Sequence, residues 1–157
     1  MLQVLVYSDS LTWGIIPNTR ARLPFDERWP GVLENKLKDP GKRVRIIEDC
    51  LNGRRTVWDD PFKPGRNGLH GLAQRIEMHS PLSLVILMLG TNDFQFSHPY
   101  NNAWSAAQAS ADLVPMRGLM DYHLAIASVL LPHASIARTT DRQWTKLIPK
   151  QRILLVR

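Results

Sequence analysis

A serine stands in a short polar turn directly after the first apolar segment of the chain. Residues 2–6 are mostly apolar, and the segment 7–14 that follows carries Ser10 near its centre. A strand that ends in such a turn fixes the serine and exposes its hydroxyl at the carboxyl edge of a sheet, where open α/β folds bind ligands. Ser10 is therefore a candidate nucleophile. The alternative is a turn serine that caps the following helix.

Two further apolar segments also end in small polar turns. The continuous apolar run 84–89 is typical of a strand buried on both faces, and it leads directly into a Gly-Thr-Asn-Asp turn that contains Asn92. The strand candidate 44–47 leads into a polar stretch that contains Gly53. A helix cap or Asx-turn is the alternative role for Asn92. A turn glycine with positive φ is the alternative for Gly53, and it is compatible with a functional role.

These turns resemble the signature blocks of one hydrolase family. The segment 9–14, Asp-Ser-Leu-Thr-Trp-Gly, resembles the first block of the GDSL, or SGNH, hydrolases, in which the serine is the nucleophile. Residues 48–56 resemble the second block, and residues 90–93 resemble the third. Further matches, in order along residues 1–110, resemble the arylesterase-like branch of this family. They lie at residues 29–33, 58–61, 66–68 and 81–93.

The resemblance implies a role for each of the three residues. Ser10 would attack an acyl carbon, and its own backbone N–H, the Gly53 N–H and the Asn92 side-chain amide would bind the oxyanion. The implied activity is a serine hydrolase that cleaves short-chain acyl or aryl carboxylic esters through an acyl-serine intermediate. Its expected partner is a small-molecule ester. No metal or other cofactor is expected, because the five histidines show no ligand spacing.

Two residues depart from the family pattern. Ser8 stands where the family usually has Gly, so its Cβ is expected to crowd the nucleophile turn. Cys50 stands where arylesterase-like members often have a smaller residue. We interpret this lone cysteine as a structural thiol and not as a nucleophile, because a free cysteine usually behaves as a small buried hydrophobe.

The general base is not evident from the sequence. The family takes it from an Asp-x-x-His block near the C-terminus, and the chain contains no such block. His123 is the first candidate, although Asp121 is spaced too closely for the motif, and His98 is the second. The remaining histidines, His70, His79 and His133, are weaker candidates. An impaired or non-catalytic relic of the same fold is therefore the alternative function.

Three explanations for the missing block remain open. The chain is a truncated or frame-shifted member with an unrelated tail, a natural short variant with a different base, or a protein that completes its site through another subunit. We favour the first, because residues 111–157 match the family poorly. A homo-oligomer is compatible with the third.

Alternating apolar and polar segments predict an α/β fold, a three-layer α/β/α arrangement with a parallel sheet. Strands are predicted at residues 2–7, 44–48, 82–89 and 152–156, the last as a fourth parallel strand. Helices are predicted at residues 29–37, 68–79, 102–114 and 119–131, and residues 132–149 are turn-like. The chain is expected to form one domain.

Composition narrows the setting in which the protein works. The chain has 157 residues with no long apolar run, so no membrane span is expected. No signal peptide is visible, and the single cysteine fits a reducing compartment, which together predict a cytoplasmic protein. The net charge of +6 is scattered without a basic stripe, so a nucleic-acid partner is the weakest hypothesis.

Overall fold

A five-stranded sheet forms the centre of the protein. The computed structural model describes residues 1–38, 40, 43–95, 102, 105, 108, 109 and 113, together with the backbone of residues 123–126 and 154–155. The strands are β1 (Leu2–Ser8), β2 (Val44–Cys50), β3 (Leu84–Met88), β4 (His123–Ile126) and β5 (Leu154–Leu155). The strand order is β2-β1-β3-β4-β5.

The first four strands are parallel, and their register aligns their ends. Ser8 at the end of β1 lies opposite Cys50 at the end of β2. The same residue lies opposite Met88 at the end of β3. Because the carboxyl ends of the three strands are level, the turns that follow them emerge at one edge of the sheet.

Helices cover both faces of this sheet. They are α1 (Ser10–Trp13), α2 (Trp29–Leu37) and α3 (Leu72–His79), with short 3₁₀ turns at Phe25–Glu27 and Thr91–Phe94. Successive side chains of a strand point to opposite faces. Val4 and Val6 accordingly pack with Leu33 of α2, whereas Leu5 and Tyr7 pack with the buried Leu72 and Ile76 of α3. The predicted three-layer α/β/α fold is confirmed.

Two further helix predictions agree with the described residues in part. The helix predicted at residues 68–79 begins only at Leu72, because Gly71 has a left-handed backbone with a φ of 82°. Of the helix predicted at 102–114, the described residues Ser105, Gln108 and Ala109 are helical. Asn102 Oδ1 accepts a hydrogen bond from the Ser105 N–H at 2.9 Å, which is the geometry of a helix N-cap.

Two predictions for the tail are wrong. Residues 119–131 were expected to be helical, but β4 lies within them and pairs in parallel with β3. Pairing with an open strand edge outweighs local helix propensity here. The terminal strand exists at Leu154–Leu155, but it runs antiparallel to β4 and is the fifth strand. The turn-like segment 132–149 lies outside the described residues.

Candidate active site

Ser10 is the first residue of α1, immediately after the carboxyl end of β1. The preceding Asp9 caps this helix, because its Oδ1 accepts a hydrogen bond from the Leu11 N–H at 3.0 Å. The helix ends at Gly14, which is left-handed with a φ of 78° and donates its N–H to Ser10 O. Ser10 itself is half-buried. The strand and the two caps together hold Ser10 at the carboxyl end of the parallel strands.

Ser8 joins this turn to the neighbouring strand through its buried hydroxyl. Its side chain is completely buried. Its Oγ donates to Met88 O at 2.7 Å and accepts a hydrogen bond from Thr12 Oγ1 at 2.7 Å. Thr12 Oγ1 in turn accepts from Trp29 Nε1 at 3.0 Å. The extra atoms of this serine, relative to glycine, thus join α1 to the end of β3.

Gly53 lies in the turn after β2, where the Arg54 N–H donates to Leu51 O at 3.0 Å. Its φ is 81°, in the left-handed region that favours glycine. A Cβ at this position would come no closer than 3.8 Å to the Arg66 side chain. Glycine is therefore favoured at this position by the backbone conformation and not by a lack of space for a side chain.

Arg54 connects the turn that contains Gly53 to the carboxyl end of β1. Its Nη1 donates to Ser8 O at 3.1 Å and to Asp49 O, and its Nη2 pairs with Asp49 Oδ1 at 2.9 Å. The guanidinium also stacks on the Tyr7 ring at 3.8 Å from the centroid. The side chain is buried, so the ends of β1 and β2 are joined by a rigid cation.

The Asn92 side chain contacts both of the other turns. Its Nδ2 donates to Arg54 O at 3.0 Å and to Asp9 Oδ2 at 3.3 Å. Its Oδ1 accepts from Gln95 Nε2 at 3.0 Å. The structure thus brings the three predicted segments together through one buried amide, with its N–H groups toward the nucleophile turn and the glycine turn.

Asp93 anchors the turn that carries Asn92. One carboxylate oxygen accepts the Thr56 N–H at 3.0 Å, and the other accepts the Thr56 hydroxyl. Both residues are almost completely buried. Neither was assigned a role from the sequence, although both lie within the segments that match the family.

Burial shapes the titration of two groups near Ser10. Burial raises the pKa of Asp9 to about 6, although the Leu11 N–H and Arg54 act in the opposite direction. Burial, followed by the charge of Glu48, raises the pKa of the Cys50 thiol to about 12. The thiol is therefore protonated at neutral pH, which favours the structural interpretation of Cys50.

The structure separates His123 from Ser10. The backbone of His123 pairs with Leu84, at the amino end of β3, whereas Ser10 follows the carboxyl end of β1. Four residues of strand separate these two edges, or roughly 13 Å. This register does not support His123 as the base, and its side chain lies outside the description.

No other histidine is placed beside the nucleophile within the part of the chain that the structure describes. His79 is the last residue of α3, shortly before the amino end of β3. His70 is exposed in the preceding loop, and neither forms a hydrogen bond with Ser10. His98 and His133 lie outside the described residues.

No group of three or more His, Cys, Asp or Glu side chains in the described part of the chain is arranged to hold a metal ion. None of the helices found in that same part is long and apolar enough to cross a membrane.

Comparison with known proteins agrees with this arrangement. No family model matches the chain. An arylesterase of Vibrio mimicus is 32% identical over 91 residues, which are 58% of this chain and 38% of that protein. A carbohydrate acetylesterase family member from Sinorhizobium meliloti is 33% identical with a TM-score of 0.72, over 82% of this chain and 62% of that one.

A more distant structure shares the fold alone. AlinE4, an esterase of the SGNH-hydrolase family, is 21% identical with a TM-score of 0.55, over 80% of this chain and 57% of its own. The parallel sheet, with serine, glycine and asparagine turns at one edge, is an α/β fold that this SGNH-hydrolase structure shares. The chain is similar to arylesterase-like esterases of the SGNH/GDSL family. The chain spans less than two thirds of the length of each of these proteins.

Proposed function

We propose that this chain is an SGNH-type esterase that cleaves short-chain acyl or aryl esters through an acyl-serine intermediate. One observation carries the proposal. The Asn92 amide donates both to Arg54 O, beside Gly53, and to Asp9, beside Ser10. Segments far apart in the sequence therefore meet at one point, and they carry the proposed nucleophile and the three proposed oxyanion donors.

The chemistry divides between these residues. Ser10 Oγ attacks the acyl carbon, its proton passes to a base, and the carbonyl oxygen becomes an oxyanion. The backbone N–H groups of Ser10 and Gly53 and the Asn92 amide would stabilise that charge. Departure of the alcohol leaves acyl-Ser10, and water then releases the acid. An alkoxide takes up the proton from the base as it leaves, whereas a phenolate needs little such help, so aryl esters depend least on this second proton transfer.

The oxyanion must compete for the Asn92 amide. Both N–H groups of Nδ2 already have acceptors, and the contact with Asp9 Oδ2 is the longer at 3.3 Å. We infer that the substrate oxygen displaces Asp9 and not Arg54 O. Protonation of Asp9, whose pKa is raised to about 6, would weaken the hydrogen bond that it accepts from the Asn92 amide.

A covalent probe tests the nucleophile without requiring turnover. A fluorophosphonate forms a stable bond to an activated serine, and peptide mass spectrometry locates it. We expect the label on Ser10, its loss in Ser10→Ala, and its retention in Ser83→Ala. Ser83 is the matched control, because its N–H pairs with Gln3 O near the opposite edge of the same sheet. Labelling elsewhere, or equal labelling of Ser10→Ala, would refute the assignment.

A second candidate is an impaired relic that binds esters and turns them over slowly. The placement of His123 beside Leu84 favours it. An intact oxyanion hole without a working triad leaves a residual ~10³–10⁴-fold rate over water, so we expect a kcat below ~1 s⁻¹ for p-nitrophenyl acetate. A kcat in the ordinary enzyme range that disappears when one histidine is replaced would show that a base is present.

The proposed partners and compartment are those expected from the sequence. Small ester molecules are the proposed partners. A reducing, cytoplasmic compartment is proposed because the chain has a single cysteine and so cannot form an internal disulfide.

A further inference from the structure

A series of hydrogen-bonded side chains reaches Asn92 Oδ1, at the opposite end of the amide from the N–H groups that face Asp9 and Arg54 O. Arg55 Nη2 donates to Gln95 Oε1 at 3.2 Å. Gln95 Nε2 donates to Asn92 Oδ1 at 3.0 Å. Neither Arg55 nor Gln95 has a role in the chemistry described above, yet Gln95 contacts the proposed oxyanion donor directly and Arg55 contacts it through Gln95.

Arg55 is a fixed cation. Its side chain is 1% exposed, and Nη2 also pairs with Asp60 Oδ2 at 3.1 Å. Nη1 donates to Asp59 O at 3.3 Å, and its backbone N–H donates to Arg66 O at 2.8 Å. A buried guanidinium with several partners has little freedom to turn. It therefore presents N–H groups to Gln95 in a constant direction.

The donors of Arg55 and the acceptors beside Asn92 favour the same orientation of both amides. A guanidinium has donors and no acceptor, so Gln95 must present Oε1 to it. Its Nε2 then faces Asn92, which must present Oδ1 in return. The Asn92 N–H groups are left facing Arg54 O and Asp9. In the reversed orientation, Oδ1 of Asn92 would oppose two acceptors.

We propose that Arg55 and Gln95 are positioning residues that hold the Asn92 amide with its N–H groups toward the reacting oxygen. The inference rests on the proposed function, in which Asn92 binds the oxyanion. The cation also polarises the chain, because hydrogen bonds in series strengthen one another. Each N–H of Asn92 is thereby a better donor when charge develops on the substrate.

Replacing Gln95 with glutamate separates positioning from structure. Gln95→Glu keeps the contact with Arg55 as an ion pair, so a purely structural role predicts no loss of stability or activity. The carboxylate, however, offers only acceptors to Asn92 Oδ1 and favours the reversed amide. We expect kcat to fall about 10- to 100-fold, approaching the loss of one oxyanion donor, with KM and Tm little changed.

Two comparisons complete the experiment. Gln74→Glu makes the same chemical change on the exposed face of α3 and is expected to alter nothing. In an Asn92→Ala background, Gln95→Glu should have no further effect on kcat, because the amide through which it acts is gone. Full activity of Gln95→Glu, or an equal loss in both backgrounds, would overturn the inference.

Nuclear magnetic resonance gives a readout that does not need turnover. The side-chain amide signals of Asn92 are assigned by their loss in Asn92→Ala. We expect Gln95→Glu to shift them, and Gln74→Glu to leave them in place. Unchanged Asn92 signals in Gln95→Glu refute the inference. Absence of Ser10 labelling in the native protein refutes the proposed function instead.

Discussion

The turn that carries Ser10 and the turn that carries Asn92 are held by different kinds of interaction. Neutral groups secure the first, through the chain from Trp29 to Thr12 to Ser8. Charged groups secure the second, through the Asp93 carboxylate and the Arg55 guanidinium. A network of hydroxyls has no charge to titrate or screen, whereas an ionic network depends on pH and on every partner. The hydroxyl network behind Ser10 is thus independent of pH, whereas the Asp9 carboxylate that caps the same turn is titratable.

Removing the amide is the strongest test of this contrast after loss of the nucleophile itself. Asn92→Ala is expected to lower kcat by ~10²–10³-fold, the usual cost of one oxyanion donor. KM should change little, because the contact strengthens only as charge develops. Steady-state kinetics on p-nitrophenyl esters measure both. A rise in KM at constant kcat would mean that Asn92 binds substrate and not the transition state.

Asp9 is a titratable group that both turns share, and it should make stability depend on pH. Its pKa rises from an ordinary 3.8 to about 6 in the folded protein. The folded state therefore binds the proton more tightly than the unfolded state. Protonation of Asp9 therefore contributes to the free energy of unfolding, and this contribution is fully present below pH 3.8 and is lost as pH rises through about 6. Its full size is on the order of 3 kcal/mol.

Urea denaturation from pH 4 to pH 8 measures this effect, with Asp9→Asn as the reference that cannot ionise. The native protein should lose free energy of unfolding relative to Asp9→Asn as pH rises. A difference between the two proteins that stays constant across this range would show that Asp9 ionises normally.

The neutral network should give a smaller effect without pH dependence. Thr12→Val keeps the shape of a fully buried side chain but leaves Trp29 Nε1 without its acceptor. We expect a loss of about 1–3 kcal/mol in the free energy of unfolding, equal at pH 5 and pH 8. A marked change of this loss with pH would break the contrast between the two turns.

The strands and turns of the first half were predictable because they are local. Apolar runs of strand length predicted β1 and β3, and the polar turns after them placed Ser10 and Asn92. The parallel orientation of the strands then followed from alternating strands and helices. By contrast, β4 was predicted as a helix, because pairing with the edge of β3 leaves no signal in its own residues.

Buried charges were the second feature that sequence patterns did not reveal. Arg54 and Arg55 stand in a polar loop, where scattered basic residues are ordinarily solvated. Both are buried, and each joins segments of the chain that are distant in sequence. The partners of an arginine depend on which loops the fold brings together, so no local pattern identifies them.

The sequence by itself determined where strands end and which residue types follow them, because hydrophobic periodicity and turn chemistry act over a few residues. Only the tertiary structure decided that the Asn92 amide bridges Asp9 and Arg54, and that His123 lies at the other edge of the sheet. Both depend on strand register. A shift in register moves a residue by about 3.3 Å for each position, which is enough to make or lose a hydrogen bond.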